Sequence, residues 1–207
     1  VWSGRLRLVH WLLACSAVAL FVTGWLIDAA PSLAEAASDY HYLAASILTL
    51  ALLMRIWLGF FGSGPERFEH LLLSATELRG VRDSLVFYLS FGRAPMPAWY
   101  AHNPLWKSLY LILFLLLAGL VVTGWLMPET PLIGRLYLPR VHAGLSSLTV
   151  LLLVLHVFSV VLQDLRGQSA DASAMLSGNR YFGIDRDGLV KPDVPEVSIR
   201  VDDIDRR

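Results

Sequence analysis

Two histidines, His142 and His156, stand fourteen residues apart in an apolar stretch, 141–163, made otherwise mostly of Leu, Val, Ser and Gly. On an α-helix that spacing is nearly four whole turns, so both imidazoles leave one face about 21 Å apart along the axis. One metal ion cannot bridge that gap; two sites stacked through a membrane can. His10 and His41 lie in two further apolar stretches. His70 and His102 lie outside them, where an exposed or interfacial imidazole is the simpler reading. A side chain that ionises or binds metal is costly inside a membrane span and is functional by default.

The elements that must position these histidines are membrane helices. Of the 207 residues 56% are hydrophobic and 16% charged, and the mean hydropathy is +0.56, which places the chain among integral membrane proteins. Four stretches, 6–27, 40–61, 105–127 and 141–163, reach the roughly 20 residues that a bilayer requires. The expected fold is all-α, a transmembrane four-helix bundle. A net charge of zero gives no basic field to draw nucleic acid. The single cysteine, Cys15, excludes an intrachain disulfide and a paired-cysteine metal site, and reads as a small buried hydrophobe. In 65–91, Phe68, Leu71, Leu72, Ala75 and Leu78 recur at helical spacing among charges, predicting an amphipathic helix at the membrane interface. Pro95, Pro97 and Pro104 make the return to the membrane irregular. Residues 1–165 are thus the expected membrane domain, and 166–207 a polar cytoplasmic tail whose last part, from Gly178, reads as extended chain or a docking strap for another subunit.

Charge sets the orientation. The first connection carries Asp28, Glu35 and Asp39 and no Lys or Arg, whereas Arg5 and Arg7 precede the first span and Arg67, Arg79, Arg82 and Arg93 separate the second from the third. Both termini are therefore expected in the cytoplasm, with Arg135 and Arg140 in the last outer loop running against the rule. In that orientation the histidines sort into two level pairs: His10 with His156 toward the cytoplasm, His41 with His142 toward the outside.

Two facing histidines without a third protein ligand suit a metal that brings its own four planar donors. Zinc would want three or four protein ligands, and no carboxylate or thiol lies at either level. The implied cofactors are two haems, b-type because the chain has no Cys-x-x-Cys-His, and the sites are built to pass electrons because two axial imidazoles leave iron no open position. Haem propionates need cations or water. Arg55, fourteen residues after His41, reaches the inner level, and Arg140, two before His142, reaches the outer one. Arg55 has an alternative, snorkelling to the interface. Gly24, Gly119, Gly124 and Gly144 can admit either a flat macrocycle or a neighbouring helix. Finally, Phe21-Val22-Thr23-Gly24-Trp25-Leu26-Ile27 is echoed 100 residues later by Val121-Val122-Thr123-Gly124-Trp125-Leu126-Met127. The echo fits an old helix-pair duplication, or two helices each needing a packing Gly and an interfacial Trp.

Arg7-Leu8-Val9-His10-Trp11, the spacing from His41 to Arg55 with Ile56-Trp57 after it, Ala101-His102-Asn103-Pro104-Leu105 and the paired histidines of the last span together resemble the dihaem b-type cytochrome subunits of membrane-bound nickel-iron hydrogenases. These belong to a cytochrome b561 and formate dehydrogenase gamma-like superfamily. The resemblance spans about residues 5–183. It implies a multi-pass subunit of the bacterial inner membrane that anchors dehydrogenase or hydrogenase subunits. Such a subunit carries electrons between an iron–sulfur or cytochrome c partner outside and quinone near the cytoplasmic side. It also implies Asn103 as a quinone contact, since formate dehydrogenase relatives place an Asn near this point. Asn103 before Pro104 is equally a helix N-cap. Two other classes of function stay open on the residues themselves: a haem-free anchor or scaffold, and an ion carrier relaying through histidines.

Overall fold

The structure, a computed structural model, describes residues 2–97, 99, 102–166, 169–178 and 181–182. Four helices carry the spans: α1 (Gly4–Ala29), α2 (Ala34–Phe61), α4 (Pro104–Leu126) and α5 (Leu138–Arg166). All four are long and apolar enough to cross a membrane, and each outruns or matches the stretch expected for it. Their ends follow local chemistry. Ser3 caps α1, its hydroxyl accepting from the Leu6 N–H at 3.1 Å. Asn103 caps α4 with Pro104 in the first turn. A short 3₁₀ turn, Pro31–Leu33, joins α1 to α2. Between α4 and α5 lies a two-stranded hairpin, Leu132–Ile133 against Leu136–Tyr137, reversed at Gly134, whose φ of 61° suits glycine.

The helices pack chiefly as consecutive pairs, α1 with α2 and α4 with α5, and α2 meets α4 between them. Leu48 and Leu52 of α2 and Leu117 of α4 form the buried centre, flanked by Leu13, Ala17 and Leu20 of α1. Trp125 Nε1 donates to Thr49 Oγ1 at 3.2 Å, tying α4 to α2. α2 is the most enclosed span and α1 the least. The large apolar side chains exposed along all four helices have lipid as their natural neighbour. Cys15 is among the exposed residues, so the expectation of a buried thiol is corrected: it stands on an outward stripe of α1.

The interfacial segment also departs from expectation. Instead of one helix over 65–91, three 3₁₀ turns, Gly64–Glu66, Phe68–Leu71 and Ala75–Glu77, precede α3 (Leu78–Leu89). Arg67 and Leu72 are extended, with ψ of 143° and 135°, and Ser63 with Glu66 and Ser74 with Glu77 form capping boxes that restart the chain twice. Its apolar residues are pegs at several points, with Leu71 and Phe87 fully buried. Beyond α5, residues 169–178 fold back on the start of the chain. There α6 (Asp171–Ser177) follows Ser169–Ala170, which pairs with Tyr181–Phe182. Trp2 N–H donates to the Gly178 carbonyl at 3.2 Å, Trp11 Nε1 to the Met175 carbonyl at 3.2 Å, and the Arg7 guanidinium to the Leu176 carbonyl. Residues 183–207, expected as extended tail or strap, lie outside the described residues.

Candidate electron-transfer site

Of the four span histidines, His10 of α1 and His156 of α5, the pair expected at the inner level, face one another with ring centroids 6.4 Å apart. Two imidazoles bound to opposite sides of one metal, each nitrogen about 2 Å from it, hold their ring centres about 6 Å apart. The spacing therefore fits a single ion between them. Trp106 and Tyr110 of α4 enclose His156, their ring centroids 5.1 and 5.8 Å from its own. His156 Nδ1 is buried with no hydrogen-bond partner.

At the outer level the two helix pairs repeat one another. Thr23 Oγ1 lies 2.9 Å from His41 Nδ1, and Thr123 Oγ1 lies 2.8 Å from His142 Nδ1. Each hydroxyl has one proton, and each donates it into its own helix, Thr23 to the Ala19 carbonyl and Thr123 to the Gly119 carbonyl, both at 2.7 Å. The oxygen can then only accept from the ring, so Nδ1 carries hydrogen and Nε2 keeps its lone pair. A free Nε2 is what a metal requires of imidazole. The echo brings each glycine against the same ring: a Cβ at Gly24 would meet His41 Cε1 at 3.5 Å, an ordinary contact, and one at Gly124 would meet His142 Cε1 at 3.3 Å, a tight one. Gly119 serves packing, a Cβ there meeting Leu145 at 3.1 Å, while Gly144 faces open space.

Among the described residues no three His, Cys, Asp or Glu side chains come together as a metal site. The donor set between His10 and His156 is thus two imidazoles, which fits a metal carried in a planar macrocycle and does not fit zinc.

The remaining candidates are placed as follows. Arg55 is 6% exposed; its guanidinium lies 5.1 Å from the ring centroids of both Phe68 and Phe114 and donates to the Glu66 carbonyl at 2.9 Å. Burial alone would raise the Glu66 carboxyl, but the Ser3 hydroxyl, the Ser63 N–H at 2.8 Å and the charges of Arg5 and Arg55 together hold it below the usual range. Arg140 is exposed in the first turn of α5. Asn103 is buried: its Oδ1 accepts from Leu105 N–H at 2.9 Å, its Nδ2 donates to the Tyr88 hydroxyl at 2.9 Å, and that hydroxyl also accepts from Gln163. His102 is half-buried, its ring against Trp2 and Tyr110 at 5.0 and 6.1 Å between centroids. Burial first, then the charges of Arg55, Lys107 and His70, pulls its pKa down to about 4, so it is neutral at ordinary pH. Sequence reasoning passed over Thr23, Thr123, Trp106, Tyr110 and Glu66. Only the two threonines carried a signal, the repeated Thr-Gly-Trp.

Comparison with known proteins finds relatives over most of the chain. The family model described as prokaryotic cytochrome b561 matches residues 1–178. A probable Ni/Fe-hydrogenase B-type cytochrome subunit of Cupriavidus necator is 26% identical over 88% of this chain and 86% of its own length. The protein of the same name from Azotobacter vinelandii is 28% identical over 90% of each. A probable Ni/Fe-hydrogenase 1 B-type cytochrome subunit of Escherichia coli K12 is 28% identical over 60% of this chain and 58% of its own. No solved structure matches. With the family model covering most of its length and all four span histidines, the chain belongs to the prokaryotic cytochrome b561 family and serves membrane electron transfer through b-type haem.

Proposed function

We propose that the chain is a two-haem conduit that carries electrons across the membrane between a hydrogenase-like or dehydrogenase partner, or a cytochrome c, and quinone. The observation that carries this reading is the facing pair His10 and His156, beside which His41 and His142 are each held at Nδ1 by a threonine of the preceding helix. His10 and His156 would hold the inner haem, and His41 and His142 the outer one. Bound haem supplies a one-electron iron couple whose two axial imidazoles leave no open position. The chain's own part is to fix ligand geometry, exclude water with Trp106 and Tyr110, and present polar groups at the inner end. Arg55 and Arg140 remain the cations proposed for the propionates, Arg55 with its guanidinium held between two aromatic faces. The names of the relatives support a hydrogenase partner. A reduced-minus-oxidised spectrum with a haem extract of the purified full chain tests the proposal. Two b haems per chain are expected, and one or none would overturn it.

Both termini are proposed to be cytoplasmic, on the Arg-rich connection between α2 and α4 and the Arg-free one between α1 and α2. A reporter fused after Arg207 should be active in the cytoplasm. Activity confined to the outside would invert the topology and exchange the two levels.

The quinone end is proposed at the inner level. Tyr110 touches both His156 and His102, and His102 lines a cavity of about 380 Å³ with Trp99, Glu77 and Lys107. An acceptor that takes up protons with its electrons needs such polar company, and Lys107 and Glu77 form an ion pair at 2.6 Å there. Asn103 is adjacent to His102. Asn103→Asp keeps the cap on Leu105 and replaces the amide donor by a carboxylate. The expected result is unchanged haem content with quinone reduction slowed about tenfold, the cost of one charged-for-neutral hydrogen-bond change near 1.4 kcal/mol. Unchanged quinone kinetics would leave Asn103 as a cap alone.

A further inference from the structure

Thr23 and Thr123 do more than other threonines in these helices. Thr49 and Thr149 also donate to the carbonyl four residues back, at 2.7 and 2.8 Å, which is ordinary behaviour for a membrane-helix hydroxyl. Thr49 then accepts from the Trp125 indole. Thr23 and Thr123 instead turn their oxygen to an imidazole Nδ1, each reaching the histidine of the next helix in its own pair. Each hydroxyl also lies near a second carbonyl of its helix, Leu20 at 3.3 Å and Leu120 at 3.2 Å. A carbonyl can only accept, so the hydroxyl proton stays within its own helix and the ring supplies the hydrogen of the Thr–His contact.

The inner level has no equivalent for His156. Its Nδ1 is buried and without an acceptor, and Ser159, the nearest hydroxyl along α5, donates to the His156 carbonyl at 2.8 Å instead. The two levels therefore differ in what stands behind the ligand. An imidazole whose N–H is donated to oxygen is the more basic ligand at its other nitrogen, and a more basic ligand favours the more highly charged, oxidised metal.

Resting on the reading of the four histidines as haem ligands, we infer that Thr23 and Thr123 are positioning residues that hold His41 and His142 as Nδ1–H tautomers and make the outer iron couple more reducing. Haem bound at each level would supply a one-electron iron couple, and the Thr-bound N–H of His41 and His142 would be retained through the change, so that no proton accompanies the electron there.

The test is a potentiometric titration of the purified, haem-loaded full chain, followed optically, with His142→Ala supplying the trace of the inner component alone. Thr23→Val and Thr123→Val keep side-chain shape and delete the acceptor. Each should move the outer transition to more positive potential, with the double variant moving it about twice as far, while the inner transition stays in place. Thr23→Ser and Thr123→Ser should titrate like the parent. Two haems at unchanged potentials in the double valine variant would overturn the inference and leave the ligand assignment standing, as would a shift confined to the inner component. Should valine cost the outer haem, the serine variants decide. Haem retained by serine assigns the role to the hydroxyl, and haem lost with serine as well assigns it to methyl packing and overturns the inference. A parent chain without haem would sink the function itself, a separate outcome.

Discussion

Replacing either His10 or His156 by Ala is expected to leave one b haem per chain where the parent has two, with roughly half the reduced α-band gone and the same spectral component missing in both variants. The rings stand 6.4 Å apart, centroid to centroid, on helices that are first and last among the spans. Removing one ring opens an iron position and leaves a cavity beside Trp106 and Tyr110, which are too large to swing in without displacing α4. His41→Ala and His142→Ala should remove the other component. The measurement is haem content per chain with the spectrum of what remains. Loss of the same component from His10→Ala and His142→Ala would mean that the levels are mispaired.

The second large effect is on stability. Arg55→Ala removes a guanidinium held between Phe68 and Phe114 and bonded to the Glu66 carbonyl. Desolvated cation–π contacts are worth about 2 kcal/mol and a hydrogen bond from a charged donor about 2 kcal/mol, so a loss of about 4 kcal/mol is expected. Arg55→Lys keeps the charge but cannot lie flat between two rings, and should recover little. If Arg55 acted only as a counter-charge for a propionate, lysine would restore most of the function and the fold would hardly notice. Thermal melts of the detergent-solubilised chain, read beside haem content, separate the two. Equal melting temperatures for parent and Arg55→Ala would refute the structural role.

How much of this was legible in the sequence depends on the range of the interaction. The spans follow from hydropathy, a local quantity, and appear where expected; helical rise likewise matched His10 with His156, and the two rings face one another. Arg55 was placed at the inner level from its spacing, but its partners, Phe68 and Phe114, come from a 3₁₀ turn and from another helix, and spacing along α2 carries no trace of them. The helix expected over 65–91 is present only as α3, Leu78–Leu89, because a run of apolar residues at helical spacing cannot register two serine–glutamate boxes that stop and restart the turn. Thr23 and Thr123 were visible as a repeat without a purpose. The purpose lies 18 and 19 residues further along, across a helix-to-helix turn. His102 was read as exposed or interfacial because it precedes the span; it is half-buried only because the N-terminal Trp2 and Tyr110 of α4 lie against it.

The fold-back of residues 169–178 onto the start of α1 bears on the order in which the molecule can be completed. A chain is made from its N-terminus, and its parts settle as they emerge. Thr23 and His41 are both present once the first two helices exist, and Thr123 and His142 once the fourth begins, so each outer histidine is oriented by a near neighbour in synthesis. His10 must wait for His156, and Arg7 and Trp11 must wait longer still, for the carbonyls of Leu176 and Met175. The inner level closes after the outer one, and the segment that clasps it is made later than all four spans.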